Sequence, residues 1–365
     1  MIKKNVADKT SIELLNLKKD IKEIKRDLTT LKNEISIEKQ KFVIFKGKEG
    51  FADRLQCLLQ IIKYSIITKR TLVIDWRDED WSHEEKEPIN TYFELKGINN
   101  LSILEFLKIW KKNKQYLSVF PLEWTNNLEE NNYSQYLSNP IYQLPNESKC
   151  IEQICKKEII DFKENIIVYP GILHRTFDTA YMKYIHLSNP LKKKILDFSE
   201  KFSLKYCKYD VIHLRGASKN WMGGELPENS PVKKLHNQWD SPDEYLNFIW
   251  QKYKSLKKYR RDVPLYLISD TFKLITLWQK KYDIGIRIPN LASKKLSRYG
   301  IHKLRKNEIY NGTTFSKKEI NFECIRDFVL MLNSRILIGD GVSLYSDVAS
   351  IAKNINITLL KFDEI

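Results

Sequence analysis

Phe42-Val43-Ile44-Phe45, Lys46-Gly47-Lys48-Glu49-Gly50, the stretch from Phe51 to Thr68, and Thr71-Leu72-Val73-Ile74-Asp75-Trp76 follow one another near the start of the chain, and their reading decides the fold. The first run is apolar and short, as a buried strand is, and the glycine-bounded segment after it reads as a loop. From Phe51 to Thr68 the apolar residues Leu55, Leu58, Leu59, Ile62 and Ile66 fall at helical spacing. The last run is strand-like again. A helix between two strands carries the chain back to the same end of a sheet, which implies parallel pairing in an α/β fold.

Outward from this unit the same alternation recurs. Residues 83–160 are mixed and aromatic, with a helical or turn-like Ile103-Leu104 and Phe106-Leu107, and Ile166-Ile167-Val168-Tyr169 is a further strand. A second series begins near residue 190, after Ser188-Asn189-Pro190. It reads as a helix over Leu191–Tyr206, a strand over Tyr209–Leu214, and a helix capped by Ser241-Pro242-Asp243 that runs to Tyr253. A strand over Pro264–Asp270, a helix over Thr271–Lys281 and a short strand over Ile284–Ile288 follow. The helix Ile320–Asn333, the strand Arg335–Gly339, the helix Leu344–Asn354 and the run Ile357–Lys361 close the chain. The expectation is two Rossmann-like α/β domains, 42–190 and 191–365, facing each other across a cleft. No internal repeat is visible.

Before the first strand, residues 1–41 have a different character. Leu14, Leu17, Ile21, Ile24, Leu28, Leu31 and Ile35 are spaced alternately three and four apart among charged residues. This is the narrow seam of a coiled coil, and residues 12–37 are expected to join another copy in a homo-oligomer, a dimer first of all. The other reading is a helix that lays its stripe on the body of its own chain.

A length of 365 residues suits two domains, and 42% hydrophobic with 30% charged residues excludes a disordered chain. Only 12 glycines and 11 prolines exclude a collagen-like or low-complexity architecture. The five cysteines form no C-x-x-C pair, which argues against structural zinc and fits free thiols in a reducing compartment. Met1-Ile2-Lys3-Lys4 opens on charge rather than on a signal peptide's apolar core, and no run approaches the roughly 18 apolar residues of a spanning helix. The expectation is a soluble, cytoplasmic protein, with peripheral contact at the inner face of a membrane. A net charge of +16 favours anionic partners such as nucleic acid, acidic lipid or a phosphorylated substrate, although a lysine-rich composition alone produces it.

Three strand ends carry candidate chemistry. In Val211-Ile212-His213-Leu214-Arg215-Gly216, His213 and Arg215 alternate onto one side at the carboxyl end of a strand, where open α/β sheets bind ligands. Arginine's fixed fork suits a diphosphate. Ser269-Asp270 ends a second strand, and Gly339-Asp340-Gly341-Val342-Ser343 joins a third to a helix whose N-terminus offers N–H groups to an anion. Their convergence points to a phosphate-bearing ligand. Each also has a bland reading: a satisfied histidine, a surface cation, a capping serine. In the first unit Gly50 permits close approach at a helix N-terminus, and Glu49 and Asp53 flank it, though many strand-to-helix turns contain glycine. Asp78-Glu79-Asp80 has the D-x-D spacing of metal-dependent transferases, and equally the look of a solvated loop.

Gly50-Phe51-Ala52-Asp53-Arg54-Leu55 with Lys69-Arg70-Thr71-Leu72-Val73-Ile74-Asp75-Trp76 resembles the opening of the GDP-fucose-dependent fucosyltransferases. His213-Leu214-Arg215-Gly216 is similar to that superfamily's H-[VL]-R peptide. Ile325-Arg326-Asp327 with Ile336-Leu337-Ile338-Gly339 and Ser343 resembles its third motif. The likeness is to the nodulation and core α-1,6-fucosyltransferases and, more distantly, to the protein O-fucosyltransferases. It covers about 43–76 and 205–352.

The resemblance implies a GT-B fold, an inverting mechanism, GDP-β-L-fucose as donor substrate and no required metal or other cofactor. It implies that Arg215 holds the donor's β-phosphate with His213 and Gly216 beside it. Asp270 and Asp327 would contact guanine or ribose, Ser343 would meet the pyrophosphate, and Glu49 would be a catalytic carboxylate, with Asp53 as the other candidate base. The acceptor would be a glycan or glycoconjugate. Two positions depart from the pattern: Gly216 replaces a second arginine, and Ser218-Lys219 replaces the usual aspartate. A transferase using another nucleotide sugar in surface polysaccharide synthesis is therefore the first alternative. A basic coiled-coil protein that binds nucleic acid is the second, and no recognition signature for a specific nucleic acid is present.

Overall fold

Parallel sheets need both faces covered, so their strands read as nearly continuous apolar runs, and such runs organise this chain. A computed structural model describes residues 17–27, 39–47, 50–78, 81–82, 89–129, 147–171, 178–216, 238–288, 309–310, 313–314, 316–341 and 343–354. Residues 17–27 are helical (α1) and exposed throughout. The opening unit is β1 (Phe42–Lys46), α2 (Phe51–Thr68) and β2 (Thr71–Asp75), as the sequence predicts. Next come β3 (Phe93–Leu95), β4 (Asn100–Ser102), α3 (Ile103–Asn113) and β5 (Val119–Phe120). Then come α4 (Glu147–Cys155), β6 (Ile166–Pro170) and β7 (Ile185–Leu187).

The second series runs α5 (Asn189–Lys201), β8 (Asp210–Leu214), α6 (Pro242–Lys254), β9 (Leu265–Ser269), α7 (Phe272–Tyr282) and β10 (Ile286–Arg287). A small hairpin, β11 (Ile309–Tyr310) with β12 (Thr313–Thr314), precedes α8 (Lys317–Asn333), β13 (Ile336–Ile338) and α9 (Leu344–Asn354).

Five strands pair in the order β4-β2-β1-β6-β5, every pair parallel. Four more pair in the order β10-β9-β8-β13, again all parallel. Alternation along β1 sends Phe42 and Ile44 toward Phe106 and Trp110 of α3, while Val43 and Phe45 join the cluster that contains α2. In β8, Ile212 and Leu214 pack with Tyr245 and Ile249 of α6, and Val211 faces the other way.

The core does not break between the two sheets. Phe51 of α2 stacks on Phe93 at 5.8 Å and meets the edge of Phe328 of α8 at 5.2 Å. Asn321 of α8 donates to the Trp81 carbonyl at 2.7 Å and to the Tyr92 hydroxyl at 3.1 Å. One apolar cluster thus runs from Val43 to Ala352.

Two helix boundaries differ from the sequence reading. α5 ends at Lys201, well short of Tyr206, because Ser203 takes a left-handed φ of 53° and the Leu204 N–H turns back to the Ser199 carbonyl at 2.8 Å. α8 begins a turn early, at Lys317. There the Ser316 hydroxyl accepts the Glu319 N–H at 3.2 Å, and the Glu319 carboxylate accepts the Ser316 N–H at 2.9 Å. The run Ile357–Lys361 and the seam positions Leu14, Leu28, Leu31 and Ile35 lie outside the described residues. Among the described residues no helix is long and apolar enough to cross a membrane.

Candidate functional site

Because β13, β8 and β9 are adjacent and parallel, the residues that follow them emerge side by side at one sheet edge. Three predicted site residues meet there. An Arg215 guanidinium nitrogen lies 3.0 Å from an Asp270 carboxylate oxygen, and the Gly216 N–H donates to the other oxygen at 2.7 Å. The Asp270 side chain is only 8% exposed, whereas that of Arg215 is 23% exposed. Asp270 therefore fixes the guanidinium while part of it still faces outward, as an anion site requires. The backbone is pinned too: the Arg215 N–H donates to the Tyr245 hydroxyl at 2.9 Å, and the Ser269 hydroxyl donates to the Leu214 carbonyl at 2.7 Å.

On the neighbouring strand end, the Asp340 carboxylate accepts the Ser343 N–H at 2.9 Å, which orders the turn into α9. Asp340 and Ser343 are both buried. His213 lies beneath this edge, its ring 5.5 Å from that of Tyr345. Burial pushes its pKa down to about 4, against the pull of Asp270 and Asp340, so the imidazole is neutral near pH 7. Its Nδ1 is buried without a hydrogen-bond partner, and so is the Thr271 hydroxyl. Both groups at this strand edge are thus left with capacity for a further hydrogen bond.

The edge also explains Gly216. A Cβ at this position would stand 2.2 Å from Thr271 Cγ2 and 3.1 Å from an Asp270 carboxylate oxygen. Any side chain here would force Thr271 aside. Tyr245 and Thr271 belong to the site, but nothing local in the sequence marks them.

The other expected residues lie on other elements or outside the described residues. Asp327 lies on α8, where its carboxylate accepts from the neighbouring Arg326 at 2.9 and 2.7 Å, and Arg326 sits 4.2 Å over the Phe198 ring. Gly50 caps α2 with an extended backbone, and Asp53 occupies the first turn of that helix. Glu49, Ser218, Lys219 and Asp80 lie outside the described residues.

Asp78 corrects the solvated-loop reading of the D-x-D spacing. Its carboxylate accepts two N–H groups of Arg54, at 2.8 and 2.7 Å, and the pair is buried. The Arg54 guanidinium lies against the edge-to-face Trp76 and Trp81 rings, at 5.5 and 5.4 Å, and a charge so placed demands a counter-ion. Asp78 is therefore a buried counter-ion of Arg54 rather than a solvated loop residue. Nearby, burial alone would raise the Asp75 carboxyl, but Lys46 at 2.9 Å and Arg77 at 2.8 Å hold it below the usual carboxylate range. Among the described residues no group of three or more His, Cys, Asp or Glu side chains is placed to hold a metal ion.

No protein-family model matches the sequence, and no curated protein sequence matches it. Solved structures do match. The chain is similar to NodZ α-1,6-fucosyltransferase co-crystallised with GDP, with a TM-score of 0.56 and 16% identity over 86% of this chain and 93% of that one. It is similar to the same enzyme soaked with GDP-fucose, with a TM-score of 0.56 and 18% identity over 88% and 93% of the two chains. For fucosyltransferase NodZ from Bradyrhizobium the TM-score is 0.57, with 18% identity over 86% and 92%. The shared property is the fold: mixed α/β, built on parallel sheets, like these fucosyltransferase structures.

Proposed function

We propose that this chain is an inverting, metal-independent glycosyltransferase that moves L-fucose from GDP-fucose to a glycan or glycoconjugate acceptor. The observation that carries the reading is Arg215, a cation fixed by Asp270 yet partly open, beside two buried unpartnered polar groups at a sheet edge. The likeness to structures holding GDP and GDP-fucose supports it. In this reading residues 191–365 bind the donor and residues 42–190 face the acceptor.

The acceptor oxygen attacks the anomeric carbon from the side opposite the diphosphate. As the new C–O bond forms, the bond to the β-phosphate oxygen breaks and its electron pair leaves with GDP. Arg215 meets that growing charge, with Ser343 and the N-terminus of α9 alongside, so the site favours the transition state over the bound donor. His213, neutral, lends polarity without a competing charge. Asp270 and Asp327 hold guanine or ribose, with Asp270 also positioning Arg215 and Gly216. Glu49, or failing it Asp53, takes the acceptor's proton. The filled space at Gly216 favours a second reading, in which the sugar is not fucose but the rest of the chemistry is the same.

Incubation with a panel of nucleotide sugars in EDTA, with diphosphate release as the readout, tests the donor and the metal independence together. Release from GDP-fucose is expected. Release only with Mn²⁺ or Mg²⁺ would overturn the metal-independent mechanism. Two substitutions separate the roles. Arg215→Ala is expected to lower turnover on the order of 10²–10³-fold and weaken GDP binding. Glu49→Gln should lower transfer on the order of 10²–10⁴-fold with GDP affinity retained. Normal GDP binding by Arg215→Ala in calorimetry would remove the donor-site assignment.

A further inference from the structure

Along α1 the seam residues Leu17, Ile21 and Ile24 are 56%, 45% and 65% exposed, so this helix does not lay its stripe on the body of its own chain. Three apolar residues in one line on an exposed helix need a partner, and the residues flanking the seam state which one. With Ile21 at heptad position a and Leu17 and Ile24 at d, positions e are Lys18 and Lys25, and positions g are Asp20 and Asp27. The same spacing continues in the sequence with Lys32 at e and Glu34 at g. Every e position is a cation and every g position an anion.

That arrangement distinguishes one geometry from the others. In a parallel pair of helices, a g residue of one chain faces the e residue of the next heptad of its partner. Asp20 then meets Lys25 of a second copy, and the contact occurs twice by symmetry. In an antiparallel pair, e faces e and g faces g, so lysines would meet lysines and carboxylates would meet carboxylates. Like charges held together are destabilising by amounts similar to what opposite charges gain, so the pattern acts against that orientation as well as for the other. From these residues we infer that α1 joins two copies of this chain as a parallel, in-register coiled coil, with the e and g charges fixing the orientation. Both transferase bodies then sit at the same end of the coil.

The full-length protein tests this in two ways. By light scattering it should have twice the mass of one chain. The triple variant Lys18→Glu, Lys25→Glu, Lys32→Glu, whose e and g positions are all acidic, should be monomeric at low salt and regain the dimer as salt screens the repulsion. Circular dichroism of that variant checks that the body still folds. For orientation, Leu17→Cys should give a disulfide-linked dimer with itself under mild oxidation, where the wild-type chain gives none. A monomeric or threefold wild-type mass would overturn the inference, as would charge reversal that leaves the dimer intact at low salt. So would a Leu17→Cys chain that fails to link to itself but links to a Leu28→Cys chain in a mixture, the product expected of an antiparallel pair.

Discussion

At the scale of single residues, the tightest constraint is the contact between Gly216 and Thr271. Gly216→Ala puts a methyl group 2.2 Å from Thr271 Cγ2, so the site must open, at a cost of about 1–3 kcal/mol. The same movement strains the 2.7 Å bond from the Gly216 N–H to Asp270 and thereby the aim of Arg215. GDP affinity should fall with stability, and adding Thr271→Ser, which removes Cγ2, should restore part of both. The two changes should therefore be non-additive in a double-mutant cycle by calorimetry and thermal melting. His213 makes a prediction about pH. The unfolded chain takes up a proton near pH 6.5, but the folded one refuses it until about pH 4. This contribution is whole above 6.5, falls away as the pH drops through that window, and is on the order of 3 kcal/mol. The carboxyls of Asp75, held low by Lys46 and Arg77, and of Asp161, held low by Lys41 at 2.6 Å and Arg70 at 2.7 Å, act only at lower pH. Denaturant unfolding at pH 7.5 and 4.5 should show the loss in the wild-type chain and a smaller one in His213→Gln.

At the scale of elements, α8 has the most riding on its first turn. Ser316→Ala removes the hydroxyl that accepts the Glu319 N–H and should lower stability by about 1 kcal/mol in urea unfolding, with Ser316→Asn nearly neutral. The strands and most helices could be read in the sequence because burial on both faces of a parallel sheet leaves continuous apolar runs such as Val211-Ile212. The start of α8 was missed because two lysines follow Ser316 and hide the S-x-x-E signal from an apolar count. The end of α5 was missed because nothing at Ser203 announces a left-handed residue. For the site, chain order exposed His213, Arg215, Asp270 and Ser343, since each follows or ends a readable strand. Tyr245 comes to Arg215 from 30 residues away, and the Arg54–Asp78 pair spans 24 residues and two elements. Only tertiary packing creates such partners, so the burial of Asp78 was not legible in its local sequence.

At the scale of the whole molecule, α1 shares no apolar cluster with the sheets, so removing residues 1–40 should leave the body folded. The truncated chain should be a monomer by light scattering and keep transfer activity near that of the full protein on small soluble acceptors. GDP at about 100 times its dissociation constant should add roughly 2.7 kcal/mol to either form, with or without EDTA, which a thermal-shift titration reads directly.

The contact of Phe51 with Phe328, together with the reach of Asn321 to Trp81 and Tyr92, has an evolutionary side. A second half whose helix is also part of the first half's interior is not an interchangeable cassette. Shuffling it onto a foreign partner would trade a matched aromatic joint for a mismatched one, and the chimaera would be lost to proteolysis before its new specificity was ever selected.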